Sequence, residues 1–274
     1  TFDPDPSFVG EAKLAYTVTD SFGNAAASTV TFTVVGVTPQ AADDTAHAGY
    51  AHSVTVPVLD NDLIGDASAP LDAFSVVLLG AGGTTGKSLV TADGSYTVDG
   101  TSGAITFTPA AGFSGQASPV RYRVADLNGT TTTAALTVTI GAAPNAADDF
   151  GSTKQGQPTT VDPLDNDTAG DDGAGVPGSL IPATVMFTDA AATDGGKTLV
   201  VPGQGTWTIG TDHLVEFVPE PSCTGTARVD YQITDAQLNS DTATITVAIA
   251  AVTPSATDDA GHTPYLTPVT TDVA

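Results

Sequence analysis

The chain has 274 residues, of which 41% are hydrophobic and only 14% charged, enough apolar mass for about two packed domains with a surface that is polar more than ionic. Acidic residues number 31 and basic residues 7, a formal net charge of −24, so the Lys/Arg footprint that nucleic acid requires is absent and adsorption to an anionic membrane is disfavoured. Cys223 is the single cysteine and excludes an intrachain disulfide; no apolar run is long enough to span a bilayer, and residues 1–20 lack a basic start followed by an apolar stretch.

Taken in order, the chain opens on "FDPDPSFVG" from Phe2, then the alternating segments "YTVTDSFGN" and "VTFTV". A link, "TPQAADD", leads to a short strand and the acidic knot "VLDND" at Val58 to Asp62. There follow an apolar strand, the glycine-rich tip "GAGGTTG", the pair "KSLV" and "GSYTV", the motif "FTPAAGFSG", and the closing strands "YRVADLNGT" and "LTVTI". The series then starts again with "APNAADD", "PLDND", "KTLV", "GTWTI", "FVPEPSCTG", "YQITDAQLN" and "ITVAI", and a third link, "TPSATDD", begins another round. The period is about 105–110 residues. Residues 1–38 therefore read as the last part of a repeat, 39–143 and 144–252 as complete repeats, and 253–274 as the start of a further one. Both ends fall inside a repeat, and the expectation is that the natural chain continues.

Alternation of apolar and polar residues in short runs, broken by Gly, Pro, Asn and Asp, predicts strands throughout and no amphipathic helix. Several strands per ~100 residues predict an all-β protein of tandem immunoglobulin-like antiparallel β-sandwich repeats. Tyr16, Tyr122 and Tyr231 resemble the tyrosine that anchors the corner before strand F. Tyr96 and Trp207 are expected in the core, and Cys223, which stands where Phe8 and Phe113 stand, is expected to be a buried, inert thiol.

Together, "AADD", "VLDND", "KTLVV", "GQGTWTI", "FTPAAGFSG" and "YRVADLNGTTTTAALTV" resemble the CshA-type fibril repeat of bacterial surface adhesins. The resemblance covers nearly the whole chain and implies a non-catalytic stalk on the bacterial cell surface that projects an adhesive tip. Its partners would be neighbouring repeats, other chains of the fibril, and a host ligand bound by regions outside this segment. "PEPSCTG" and "DAQLNSD" depart from the pattern, the second by lacking the glycine of the Asp-x-x-Gly turn.

Only Glu11, Glu216 and Glu220 are glutamates; every other acid is aspartate. Aspartate suits turns, where its short side chain bonds the local backbone, or cation ligation by loops. On an immunoglobulin-like plan, Asp43, Asp44, Asp60, Asp62 and Asp126 gather at one pole of the first complete repeat. Asp148, Asp149, Asp165, Asp167 and Asp235 do so in the second. One reading places Ca²⁺ there, at the joints between repeats; the other makes these residues turn formers screened by water and counterions.

Catalysis finds no support. The four histidines form no zinc-helix motif, "GAGGTTG" lacks the ending of a phosphate cradle, and no Ser–His–Asp arrangement recurs. The alternative to a stalk is a ligand-binding array, with "AGDDGAGVPGSLIPATV" (Ala169 to Val185) the clearest break in the repeat, best read as an ordinary loop of variable length. Lys87 and Lys197 occupy matched positions, the one hint of a lysine cross-link.

Overall fold

The computed structural model describes residues 1–5 and 8–272, so Pro6 and Ser7 of the first aromatic–glycine motif and the last two residues of the 253–274 segment lie outside the described residues. The chain divides into two compact units: 1–145 with 168–181 and 234–241, and 146–167 with 182–233 and 242–274.

The first unit opens on an antiparallel hairpin, β1 (Gly10–Thr19) and β2 (Ala25–Val34), with Leu14 opposite Val30 and Tyr16 opposite Ser28. Its apolar residues alternate as expected, yet Leu14, Tyr16 and Val18 remain exposed.

The first sandwich follows. One sheet has the order β10 (Gly115–Gln116), β12 (Thr131–Ile140), β11 (Val120–Asp126), β5 (Leu71–Leu79), β6 (Thr85–Gly86), and β3 (Asp44–Ala48) runs parallel to β12. The facing sheet has the order β4 (Val54–Val56), β9 (Ile105–Pro109), β8 (Gly94–Val98), β7 (Ser88–Val90). Alternation decides which face turns inward: in β11, Val120, Tyr122 and Val124 are buried while Arg121 and Arg123 point to solvent. Each fully buried large apolar side chain contributes about 1.5–3 kcal/mol. Tyr96 and Phe107 pack with their rings tilted by 38° and their centroids 4.6 Å apart. Gly94 leaves room for this contact, since a Cβ there would meet Thr108 O at 2.3 Å and the Phe107 ring at 2.7 Å.

The second unit repeats this plan. β13 (Asp149–Lys154) runs parallel to β20 (Ser240–Ala250), followed by β19 (Gly225–Thr234) and β15 (Met186–Phe187). The facing sheet is β14 (Thr159–Val161), β18 (Val215–Pro219), β17 (Gly205–Ile209), β16 (Thr198–Val201). Trp207 packs on Phe217 at 4.1 Å, in the place of the Tyr96–Phe107 pair, and Cys223 is buried and free. Among the described residues, helix is limited to two three-residue 3₁₀ turns, Ala81–Gly83 and Pro182–Thr184.

The stretch 168–181 has more structure than an ordinary loop. Within the first unit, Thr168 bridges Asn145, the Asp171 amide donates to Ala142 O at 3.3 Å, and Asp171 bridges Pro177. Gly173, at φ +81°, lies so close to the ends of β12 and β3 that a Cβ would meet Thr139 O at 2.5 Å and Ala48 O at 2.7 Å.

Candidate functional site

Each acidic pole is organised by a tyrosine. Tyr122, buried in the middle of β11, sends its hydroxyl to Val58 O at 2.8 Å and Asp44 Oδ2 at 3.0 Å, with Ala42 O at 3.5 Å. The tyrosine thus ties the start of strand β3 to the turn after β4, where "VLDND" lies. Asp62 Oδ1 accepts the Ala42 amide at 2.8 Å, Asp43 Oδ1 accepts the Ala135 amide at 2.8 Å, and the Asn61 side chain donates to Asp43 O at 3.2 Å. The second unit builds a related knot, in which the tyrosine reaches Asp167, the counterpart of Asp62, instead of Asp149, the counterpart of Asp44. The Tyr231 hydroxyl contacts Pro163 O at 3.0 Å, Ala147 O at 3.1 Å and Asp167 Oδ2 at 3.0 Å. Asp167 Oδ1 accepts the Ala147 amide, Asp148 Oδ1 the Thr244 amide, and Asn166 donates to Asp148 O.

A phenol has one proton and two acceptor lone pairs. When Tyr122 donates to Val58 O, the Asp44 oxygen 3.0 Å away is best held if Asp44 carries a proton of its own. Burial, partly offset by the Tyr122 hydrogen bond, pushes the Asp44 carboxyl up to about 6, with Asp62 and Asp43 adding repulsion. Burial raises Asp62 as well. Asp149 is likewise pushed up to about 6, by burial first, against the Tyr231 hydroxyl and with Asp167, Asp162 and Asp148 adding charge. Asp149 Oδ2 is buried and accepts no hydrogen bond of good geometry, although the Tyr231 hydroxyl is near enough to stabilise its charge. The tyrosine hydroxyls are themselves held far above their usual range by burial and the neighbouring carboxylates.

The predicted acids therefore divide. Asp43, Asp44 and Asp62 come together around Tyr122, and Asp148, Asp149 and Asp167 around Tyr231. Asp60 and Asp165 are exposed on the knot turns. Asp126 closes the β11–β12 turn, with its Oδ1 accepting the Asn128 and Thr130 amides at 2.9 and 2.7 Å. Asp235 does the same for Gln237 and Asn239 at 2.9 Å each, and Asp20 for Phe22 and Asn24 in the β1–β2 turn. Asp66, Asp72, Asp99, Asp171, Asp189 and Asp212 also accept the amide two residues ahead. Glutamate, one methylene longer, fits this Asx turn poorly, which accounts for the scarcity of glutamate in the chain. Among the described residues, no group of three or more His, Cys, Asp or Glu side chains is placed to hold a metal ion.

Sequence reasoning located the tyrosines and the acids but not their partnership. It also missed the role of the matched lysines. Lys87 Nζ donates to Phe74 O at 2.8 Å and Val76 O at 2.6 Å, and Lys197 Nζ donates to Ala183 O and Val185 O. Each ammonium caps two backbone carbonyls across the strand that carries them, and burial lowers the pKa of Lys197. Tyr96 Oη and Trp207 Nε1 are buried without a protein partner, as matched core aromatics whose polar tips are incidental.

Two sandwiches in tandem, each with its first strand parallel to its last and closed by a tyrosine–aspartate knot, define a β-sandwich repeat protein. The model of the surface adhesin CshA repetitive domain matches residues 36–140 and 141–249. The chain belongs to this family, and so to the repeat region of a cell-surface adhesin. Among solved structures, it is similar to the human Desmocollin-1 ectodomain (13% identity, TM-score 0.30), covering 92% of this chain and 49% of that one. It is also similar to mouse Cadherin-23 EC22–24 (12% identity, TM-score 0.34, covering 91% and 77%) and to Drosophila N-cadherin EC1–3 (13% identity, TM-score 0.31, covering 90% and 80%). The chain thus spans about half the length of the Desmocollin-1 ectodomain. No curated protein matches it. Among the described residues, no helix is long and apolar enough to cross a membrane.

Proposed function

We propose that this chain is a non-catalytic spacer of a bacterial cell-surface fibril, whose repeats hold an adhesive region away from the cell. One observation carries the reading: the chemically distinctive residues of each repeat are consumed in fastening the repeat to itself. The Tyr122 and Tyr231 hydroxyls, their aspartates and the Lys87 and Lys197 ammonium groups all serve backbone or knot contacts in both sandwiches, the tyrosine reaching Asp44 in the first and Asp167 in the second. A catalytic or ligand-gripping site leaves such groups facing a substrate, and tandem duplication favours a mechanical role. The competing reading is a ligand-binding array. Surface binding of the purified chain to a glycan array and to host matrix proteins separates the two: no saturable binding supports the spacer, and saturable binding to one class supports the array.

A calcium ion at the acidic poles is a second reading, favoured by the buried, unpaired Asp149 Oδ2 beside a recess lined by Asp148, Asp162, Asp165 and Asn166. As placed, these side chains do not converge on one point, whereas calcium needs six to eight oxygens at about 2.3–2.6 Å. A chelator melt decides between them.

A further inference from the structure

The end of the second sandwich carries an open recess of about 620 Å³, lined by Ser152, Lys154, Gln157, Gly225, Ile249 and Ala250 among others. The strand registers align this surface with one in the first unit. Asp149 pairs with Ile245 as Asp44 pairs with Leu136. Ser152, Thr153 and Lys154 thus stand where His47, Ala48 and Gly49 stand, and Ala248, Ile249 and Ala250 where Thr139, Ile140 and Gly141 stand.

In the first unit that surface is filled. Gly173 lies on Thr139 O and Ala48 O, a Cβ on Gly141 would meet Asp171 O at 1.9 Å, and one on Gly49 would meet the Gln237 side chain at 1.9 Å. The Asp172 carboxylate, held low first by the Val176 and Ala174 amides it accepts, also lies within electrostatic reach of His47. Gly49 and Gly141 are buried there, while their counterparts Lys154 and Ala250 are exposed. The occupant is a Gly-Asp loop, and the motif is not confined to one repeat. Gly65 and Asp66, at the same place after the "VLDND" knot, put Gly65 against Val37 O and Pro39 N as Gly170 lies against Ala142 O.

We infer that the recess at the end of the second sandwich is a seat for the Gly-Asp loop of a further repeat of the same kind, with Lys154 receiving the loop's carboxylate. Ala250 in place of Gly141 makes the incoming loop stand off by the thickness of a methyl group. Lys154, one of only 7 basic residues in the chain, supplies in the open seat a positive charge where Gly49 supplied only space. The inference rests on the spacer reading in taking another repeat as the occupant.

The test is a chain in which residues 254–274 are replaced by a second copy of residues 144–252, compared with the 274-residue chain. Amide exchange at Thr153, Lys154 and Ala248–Ala250 is expected to slow by roughly tenfold or more. Carbodiimide coupling is expected to join Lys154 to the added copy's Asp171 or Asp172, a product that Lys154→Arg abolishes. Unchanged exchange at these amides, with the added sandwich folded, overturns the seat. Slowed exchange without the Lys154 cross-link overturns the Gly-Asp loop as occupant. Small-angle scattering on the same chain tests the spacer reading separately: a fixed gain in maximum dimension with unchanged exchange would leave the spacer standing and remove only the seat.

Discussion

The Tyr122 hydroxyl lies 3.0 Å from Asp44 Oδ2 across 78 residues of sequence, and both groups are buried. This contact, with the 2.8 Å bond to Val58 O, binds the first strand of the sandwich to the turn that follows the second. Removing the hydroxyl strands buried acceptors, which costs about 1–3 kcal/mol. Tyr122→Phe and Tyr231→Phe are each expected to destabilise by that amount in denaturant unfolding. Tyr16→Phe, in the half-exposed hairpin equivalent, is expected to change stability by less than about 0.5 kcal/mol. Tyr96→Phe, which removes a hydroxyl with no protein partner, is expected to shift stability by less than about 1 kcal/mol.

The knots make stability fall as pH rises through the acid range. Asp44 and Asp149 titrate near 6 when folded and near 3.8 when unfolded. Between those values the folded state holds more protons than the unfolded, so the slope of unfolding free energy with pH is negative. The favourable contribution is full below about 4, fades as pH rises toward about 6, and is absent above that. Each group accounts for about 2–3 kcal/mol. Thermal melts are expected to show a higher midpoint at pH 4.5 than at pH 7.5. Asp44→Asn with Asp149→Asn is expected to flatten that difference, because an amide donates to the phenol oxygen at every pH. A midpoint that rises from pH 4.5 to 7.5 in the wild-type chain contradicts the reading of Asp44 and Asp149 as acids protonated in the fold.

The β19–β20 turn carries a local strain that the equivalent turns avoid. Leu238 sits at φ +68°, where Gly23 and Gly129 sit at +85° and +82°. The left-handed conformation costs a branched residue roughly 1–2 kcal/mol, partly offset by the greater chain entropy glycine loses on folding. Leu238→Gly is expected to stabilise by about 0.5–1 kcal/mol in equilibrium unfolding.

Lys87 and Lys197 act as caps for pairs of backbone carbonyls, one exposed and one part-buried in each. Lys87→Met is expected to cost about 1–3 kcal/mol by leaving Phe74 O and Val76 O without their donor. Intact-mass measurement is expected to match the sequence with no loss of ammonia or water, because each ammonium is engaged by carbonyls instead of a carboxyl or carboxamide partner.

Excess chelator is expected to leave the melting midpoint unchanged, since the knots are closed by backbone amides, a phenol and a proton. A chelator-induced drop that added calcium restores would give the ion the structural role instead.

Most of the architecture was legible because period-two alternation in segments such as "YRVAD" and "LTVTI" fixes both the strand and its buried face. The repeat placed Tyr122 and Tyr231, and Tyr96 and Trp207, in matched environments before any contact was known. The knot was legible only as a cluster of acids. Its organising group, a tyrosine hydroxyl, is separated from the acids by 60 residues or more, and local spacing carries no signal at that range. Asp126 and Asp235 were expected among the knot residues because they follow strand F; their carboxylates instead turn back onto amides two and four residues ahead. The stretch after Ala169 read as an ordinary loop because glycine-rich turns look alike in sequence, whether they face solvent or rest on the end of a strand.

Reach is the central claim, and small-angle scattering on a series lengthened by successive copies of residues 144–252 tests it most directly. The account predicts that each added copy extends the maximum particle dimension by the same increment. Growth that slackens toward the cube root of chain length, as in a collapsing globule, would contradict it.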